Sequence, residues 1–429
     1  MSVEAIVLIL SVITAAIIGV PLVWSLVLSS VLSIVVAGEI NMLPTLVQTT
    51  FAGGFQYALL AIFFFVLSGN IMTHGGLSKR LIDFSDSLIG HVSGGTAIVC
   101  VVACAFFAAI SGSAVATTAA IGGLMYPELV KRGYPRDHAA ALPAATGVLG
   151  VIIPPSVLMI LYGSINNVSP GKLLMSGMIP GIMGATFIAI ICYVYGKKHK
   201  IASKEKFNWE RVGTTFKKAI LSLIMPLIIL GGIYLGIFTP TESGVVAAVY
   251  SIIVTVVVYR SMSWSTFKSI VIESCKTTGS VMILVMAAGC FSYLLTIYQV
   301  PAALSNFVVS NVSSQYTYFA GVVALLLFLG MFMDVGAIIL ILGPMLAPVA
   351  RSYGIDPIHF GLIFIFTVAI GQATPPFGTN LFVACGYSGL SVMQIGKKSL
   401  IYSSALVLVI ILCIVFPQLV TALPNMMGY

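Results

Sequence analysis

The sequence predicts an all-α polytopic membrane protein made of two inverted-topology repeats, with two re-entrant helical hairpins and two broken helices. Three observations carry this. Apolar types make up 59% of the chain and charged types 7%, against roughly 25% charged in ordinary soluble domains. Two long apolar runs, 97–130 and 317–350, are interrupted near their middles by small or polar residues. Glycine, proline and polar positions of the first half recur at a constant offset in the second.

So few charges cannot cover a soluble surface, and disordered chains are charge-rich, so both classes are excluded. At about 20 residues per crossing, the chain supplies on the order of ten spans. The formal net charge is +8. In this composition it marks sidedness in the bilayer, not a nucleic-acid partner. Cys100, Cys104, Cys192, Cys275, Cys290, Cys385 and Cys413 form no CxxC pair and read as small packing residues. The opening MSVEAIVLIL has an acid and no basic stretch, which reads as a first membrane helix and not a cleaved signal.

Repeat 1 covers 1–200. Apolar runs at 3–19 and 21–37 meet at Gly19-Val20-Pro21, and a third lies at 51–74. Residues 77–92 are amphipathic and charged, and predict a helix in the interface plane. The run 97–130 breaks at Ile110-Ser111-Gly112-Ser113 into halves too short to cross comfortably; a hairpin that enters and leaves on one side fits. A broken helix over 137–165 and a helix over 171–196 follow. A basic cytoplasmic linker is expected at 201–218. Repeat 2, 219–429, has runs at 219–238, 243–259 and 278–299 and an uncharged interfacial helix at 301–315. Its hairpin, 317–350, is broken at Met333-Asp334-Val335-Gly336; a broken helix over 357–388 and a last helix over 399–420 close it.

If 137–165 runs outward, all Lys and Arg except Lys172 and Arg351 lie inside. These include Lys197, Lys198, Lys200, Lys204, Lys206, Arg211, Lys217 and Lys218 around the linker. Cytoplasmic loops carry such an excess, and both termini are then expected outside. Across the repeats Ser113 pairs with Asp334, Gly133 with Gly354, Gly150 with Gly371, and Pro154-Pro155 with Pro375-Pro376. Inverted repeats with discontinuous helices are the build of secondary transporters.

The two breaks, ATGVLGVIIPPSVLM (145–159) and AIGQATPPFGTNLF (369–382), carry the most specific chemistry. Proline pairs remove backbone donors and free the carbonyls of the preceding turn, and flanking glycines let the backbone open. Freed carbonyls in a low-dielectric setting are hard oxygen ligands suited to Na+. The half-helix after each break presents an N-terminus with about half a positive charge, which suits an anion. Asp334, an acid placed near mid-membrane, reads as a cation ligand or its supporting partner; the alternative is a carboxylate satisfied by hairpin-tip amides. Ser111 and Ser113 either cap the hairpin halves or line the site. Thr374 and Thr379 either ligate or bond back within their helix. Ser156 and Asn380 are placed to hydrogen-bond substrate. Glu242 with Thr239 or Thr241 reads as a helix cap.

AAISGSAVATTAAIG (108–122), GYPRDHAAALPAATGVLGVIIPPS (133–156), GIFTPTESGVVAAVY (236–250), GMFMDVGAI (330–338) and GQATPPFGTN (371–380) together resemble the large, DctM-like membrane subunit of tripartite ATP-independent periplasmic (TRAP) transporters. The resemblance covers the whole chain. It implies Na+-driven uptake of an organic acid across the bacterial inner membrane, with no enzymatic activity. It further implies a periplasmic substrate-binding protein, a separate four-helix membrane subunit, and an elevator motion of a transport domain against a scaffold formed by 1–76 and 219–299. By position it implies one Na+ site at Ser111, Gly150, Ile153 and Pro155, and another at Asp334, Gly371, Thr374 and Thr379, so at least two ions. Ser111, Ser113, Ser156 and Asn380 are then the substrate candidates. Sialic acid is the expected substrate, with C4-dicarboxylates the alternative. Two rivals are an ion or metabolite channel and an intramembrane serine protease; the second lacks a histidine base at the depth of Ser111.

Overall fold

The computed structural model describes residues 2–201 and 207–426. Lys204 and Lys206 of the linker lie outside that range. Among the described residues the chain is all helix, and seven helices are long and apolar enough to cross a bilayer, or up to nine if each bent pair is one span.

The helices form two sets. The outer set comprises Val3–Ile17, Leu22–Ala37, Leu43–Gly54, Leu60–His74, Trp209–Tyr234, Pro240–Ile252 with its π-helical continuation Ile253–Val258, and Trp264–Ile297. Here helices of the first repeat pack on those of the second: Leu60–His74 on Pro240–Ile252, and Leu43–Gly54 on Trp264–Ile297. The second pairing is close because Gly53 faces Gly289; a Cβ on Gly53 would sit 3.4 Å from the Gly289 Cα. These helices are apolar on their outer faces too, with Leu10, Leu28, Leu227 and Val257 exposed, the mark of a surface that meets lipid.

The inner set holds hairpin 1 (Gly95–Ser111 and Ala114–Lys131), hairpin 2 (Gln315–Gly330 and Val335–Ser352), both broken helices, and the closing helices Met178–Lys198 and Val392–Val415. The first broken helix is Arg136–Thr146, Leu149–Ile152 and Val157–Asn166; the second is Pro357–Gly371 and Thr379–Ser388. The molecular core is here. Every residue from 138 to 156 is buried, and so is every residue from His359 to Gly371. Two amphipathic helices join the sets, Leu77–Ile89 against hairpin 1 and Val300–Asn311 against hairpin 2.

The inversion is visible in contacts at the two ends of one helix. At the start of the first broken helix, Arg136 Nε donates to Tyr126 Oη at 3.1 Å, near the base of hairpin 1. At its far end, Arg351 at the base of hairpin 2 donates to the Asn166 carbonyl at 3.0 Å. The hairpin mouths therefore open to opposite ends of the molecule. The punctuation repeats as well. Gly76 and Gln299 take left-handed backbone before the interfacial helices, Gly133 and Gly354 after the hairpins, and Asn167 and Gly389 after the broken helices.

Several elements differ from the sequence expectation, three of them in the outer set. The run 51–74 is not one helix: Leu43–Gly54 ends, Phe55 and Gln56 turn, and Leu60–His74 restarts. The helix expected at 219 begins at Trp209, capped by Asn208 Oδ1 on the Glu210 N–H at 2.8 Å, so half of the expected linker is helical. Arg211 on that extension pairs with Asp86 of the first interfacial helix at 2.6 Å. The run expected at 278–299 is the end of a 34-residue helix, Trp264–Ile297, about 51 Å long at 1.5 Å per residue. Apolar composition marks where lipid is crossed, and amphipathic helix extends past that limit unseen by hydropathy. Glu242 forms the expected cap, with Thr239: the Thr239 N–H meets Glu242 Oε2 at 2.8 Å and the Glu242 N–H meets Thr239 Oγ1 at 3.3 Å.

Candidate functional site

Two prolines in a row make the first break. Pro154 and Pro155 have no N–H, so the carbonyls of Gly150 and Val151 lose their helical donors. Ile153 leaves the helix (φ −74°, ψ 122°) with its own N–H held by the Leu149 carbonyl at 2.8 Å. The helix restarts behind Ser156, whose Oγ accepts the Met159 N–H at 3.3 Å.

The tip of hairpin 1 lies directly on this break. Gly112 turns the chain at φ 63°, and a Cβ there would come 2.8 Å from the Pro155 carbonyl oxygen. A Cβ on Gly150 would overlap the Ser113 carbonyl oxygen and reach within 2.6 Å of Thr117 Oγ1. Glycine at both positions is what allows the contact. Around it Ser111 Oγ and Thr117 Oγ1 are 2.9 Å apart, Thr117 Oγ1 donates to the Ser113 carbonyl at 2.8 Å, and Ser113 Oγ caps the second hairpin half through the Ala116 N–H at 3.3 Å. Ser111, Thr117 and Ser156 are buried. The result is a cluster of neutral oxygens at a helix break.

At the second break Pro375 and Pro376 take the helical donors from Gly371 and Gln372. Local bonds replace them. The Thr374 N–H meets the Gly371 carbonyl at 3.0 Å, the Asn380 N–H reaches back to the Gln372 carbonyl at 3.0 Å, and the Ser399 hydroxyl donates to the Ala373 carbonyl at 2.6 Å. Hairpin 2 lies on this break as hairpin 1 lies on the other. A Cβ on Gly371 would sit 2.6 Å from the Gly330 Cα, and the Phe332 and Phe377 rings are 5.6 Å apart. Thr374 Oγ1 donates to the Ile370 carbonyl at 2.9 Å, the back-bonding alternative, with its oxygen lone pairs still open. Gln372 Oε1, Thr379 Oγ1 and Asn380 Oδ1 are buried without a protein hydrogen-bond partner; buried acceptors of this kind are ordinarily satisfied by water or an ion. Asn380 Nδ2 donates to the Ala144 carbonyl at 3.1 Å, which ties the two broken helices together.

The structure thus gathers Ser111, Ser113, Gly150, Pro155 and Ser156 at one break, and Gly371, Thr374, Thr379 and Asn380 at the other. Ile153 contributes extended backbone at the first. Asp334 lies at the hairpin 2 tip, where it caps Val335–Ser352 through Oδ1 on the Gly336 N–H at 2.8 Å, and its side chain is exposed. Two residues were missed by sequence reasoning. Thr117 was legible as a hydroxyl one helical turn beyond Ser113, and Gln372 as the polar residue that opens the second break.

Residues 9–419 match the family model of the tripartite ATP-independent periplasmic transporter, DctM component. The chain belongs to this family. It is 39% identical over 373 residues to the C4-dicarboxylate TRAP transporter large permease protein DctM of Pseudomonas aeruginosa, covering 87% of each chain. It is 34% identical over 410 residues to the sialic acid TRAP transporter permease protein SiaT of Haemophilus influenzae, covering 96% of this chain and 66% of that one. In fold it resembles the crystal structure of the Alcanivorax borkumensis YdaH transporter, with TM-score 0.66, 15% identity and 89% of each chain covered. As a DctM family member the chain is a multi-pass TRAP large permease, and both helix breaks fall inside the matched region.

Proposed function

We propose that this permease takes up an organic acid anion with Na+ through the two helix breaks. The observation that carries the reading is the hairpin 1 tip laid on the first break, where Thr117 Oγ1, hydrogen-bonded to Ser111 Oγ, and the Ser113 carbonyl meet Gly150. Uncharged oxygens freed by prolines suit a hard monovalent cation. One Na+ is held by Ser111, Gly150, Ile153 and Pro155. A second is held by Gly371, Thr374 and Thr379, with Asp334 as its carboxylate. The substrate anion lies between the breaks, against Ser113, Ser156 and Asn380 and the half-helices Val157–Asn166 and Thr379–Ser388, whose N-termini favour negative charge. Bound Na+ supplies the remaining positive charge, so anion and cation stabilise each other.

The inner set moves as an elevator against the outer set, in the bacterial inner membrane with both termini periplasmic. A periplasmic binding protein delivers the substrate, and a small membrane subunit completes the complex. C4-dicarboxylates and sialic acid are both supported as substrates by relatives; the former relative is the more similar of the two. The test is uptake into proteoliposomes with purified partners. Accumulation of one of these acids that stops when Na+ is replaced by choline supports the reading. Flux that persists in choline favours a channel.

A further inference from the structure

A basic pocket of about 350 Å³ lies away from both breaks, lined by Arg136, Asp137, Leu390, Gln394, Lys397 and Lys398. It is built where the two repeats meet at one end of the inner set. Arg136 and Asp137 open the first broken helix, and Gln394, Lys397 and Lys398 lie in the first turns of Val392–Val415. Leu390 adds an apolar edge. Three cations therefore face one carboxylate. Asp137 is 4.0 Å from Lys398, and among the described residues neither Arg136 nor Lys397 has a carboxylate within 4.0 Å. The guanidinium is held in place by neutral groups: Nη2 donates to the Ser388 carbonyl at 3.1 Å and Nε to Tyr126 Oη at 3.1 Å. Gln394 Oε1 is taken by the Ser391 N–H at 3.0 Å, which leaves its amide NH2 as a further donor.

We infer that this pocket binds the phosphate of an anionic phospholipid headgroup. The local charge excess of two asks for an anion, and the donors are of the kind that hold phosphate. The mixed lining of cations and one leucine suits the boundary between headgroup and acyl chain. Placing this end inside, as the Lys and Arg distribution favours, sets the pocket at the inner-leaflet surface, where basic pockets between helices capture anionic lipids. The pocket is bounded by the first broken helix, the loop after the second, and the helix that follows it. A headgroup there is tied to the same rigid elements that carry both breaks, so lipid composition would bias the position of the transport machinery without touching its ligands.

The test is native mass spectrometry of the full chain in detergent, titrated with phosphatidylglycerol, phosphatidylcholine or inorganic phosphate, for wild type and the Lys397→Gln/Lys398→Gln double variant. This readout does not depend on Na+ coupling, so it fails or succeeds separately from the proposed uptake. Wild type is expected to retain phosphatidylglycerol over phosphatidylcholine, and the double variant to bind phosphatidylglycerol roughly twenty- to thirty-fold more weakly, at about fivefold per lysine. Circular dichroism melts of the variant matching wild type confirm that it is folded; Lys397→Arg should keep the preference. Equal phosphatidylglycerol binding by wild type and variant overturns the site. Binding of inorganic phosphate with no preference between the two lipids overturns the lipid source.

Discussion

Gly150 shows how much of this protein depends on a missing methyl group. Its neighbours are a carbonyl and a hydroxyl from another segment, and a Cβ would overlap the Ser113 oxygen. Gly150→Ala is expected to push the hairpin 1 tip off the break and reduce Na+-dependent uptake more than tenfold, with the protein still monodisperse on gel filtration. Gly123→Ala is the control, because nothing lies within 4 Å of a Cβ there; replacing a helical glycine should leave uptake unchanged or raise the melting temperature slightly. Thr117 makes a companion test. Thr117→Ser keeps the hydroxyl that meets Ser111 and should retain Na+ affinity, whereas Thr117→Val, nearly the same size, should raise the Na+ concentration for half-maximal uptake at least severalfold. Beforehand Thr117 was legible only as a hydroxyl one turn beyond Ser113; its place in the site depends on Gly150, 33 positions away in the chain, approaching within contact distance.

At the scale of elements, the helix cap that Asp334 forms and the Na+ role proposed for it can be separated. As a helix cap its loss should cost about 1 kcal/mol. As a carboxylate at the hairpin 2 tip its loss should abolish the coupling of uptake to Na+. Asp334→Ser keeps a capping oxygen and removes the charge. Asp334→Ser is expected to restore the melting temperature lost in Asp334→Ala but not Na+-dependent uptake. Uptake at the wild-type Na+ response in Asp334→Ser would leave Asp334 with the cap alone. Both hairpins and both breaks were readable as elements, since each is marked by local chemistry: Gly112 and Ser113 in one tip, Asp334 in the other, a proline pair in each break. The turn at Phe55 and Gln56 was not readable, because an apolar run gives the same hydropathy whether the backbone continues or bends.

Across the whole molecule, the outer and inner sets approach closely where Leu60–His74 passes the hairpin 1 tip. A Cβ on Gly69 would sit 3.2 Å from the Ser111 Cα and 3.3 Å from the Ile110 carbonyl oxygen. Bulk at this point opposes the arrangement described here. Gly69→Leu is expected to lower uptake while faster hydrogen exchange appears at the hairpin 1 tip and not in Pro357–Gly371, which is buried on every side. Slower uptake with unchanged exchange at the tip would mean that the two sets tolerate the side chain and do not press together during transport.

The sequence by itself determined the membrane class, the order of elements, the duplication and the location of both breaks. Each of these follows from local rules: apolar length, charge sidedness, and residues that lack a donor or a Cβ. Only the tertiary structure decided that each hairpin tip rests on the break of its own repeat, that Asn380 of one break is bound to Ala144 before the other, and that Arg136 and Arg351 mark opposite hairpin mouths. The reason is physical. Such contacts join residues far apart in the chain, and their geometry is fixed by close packing of whole helices, which no local pattern records.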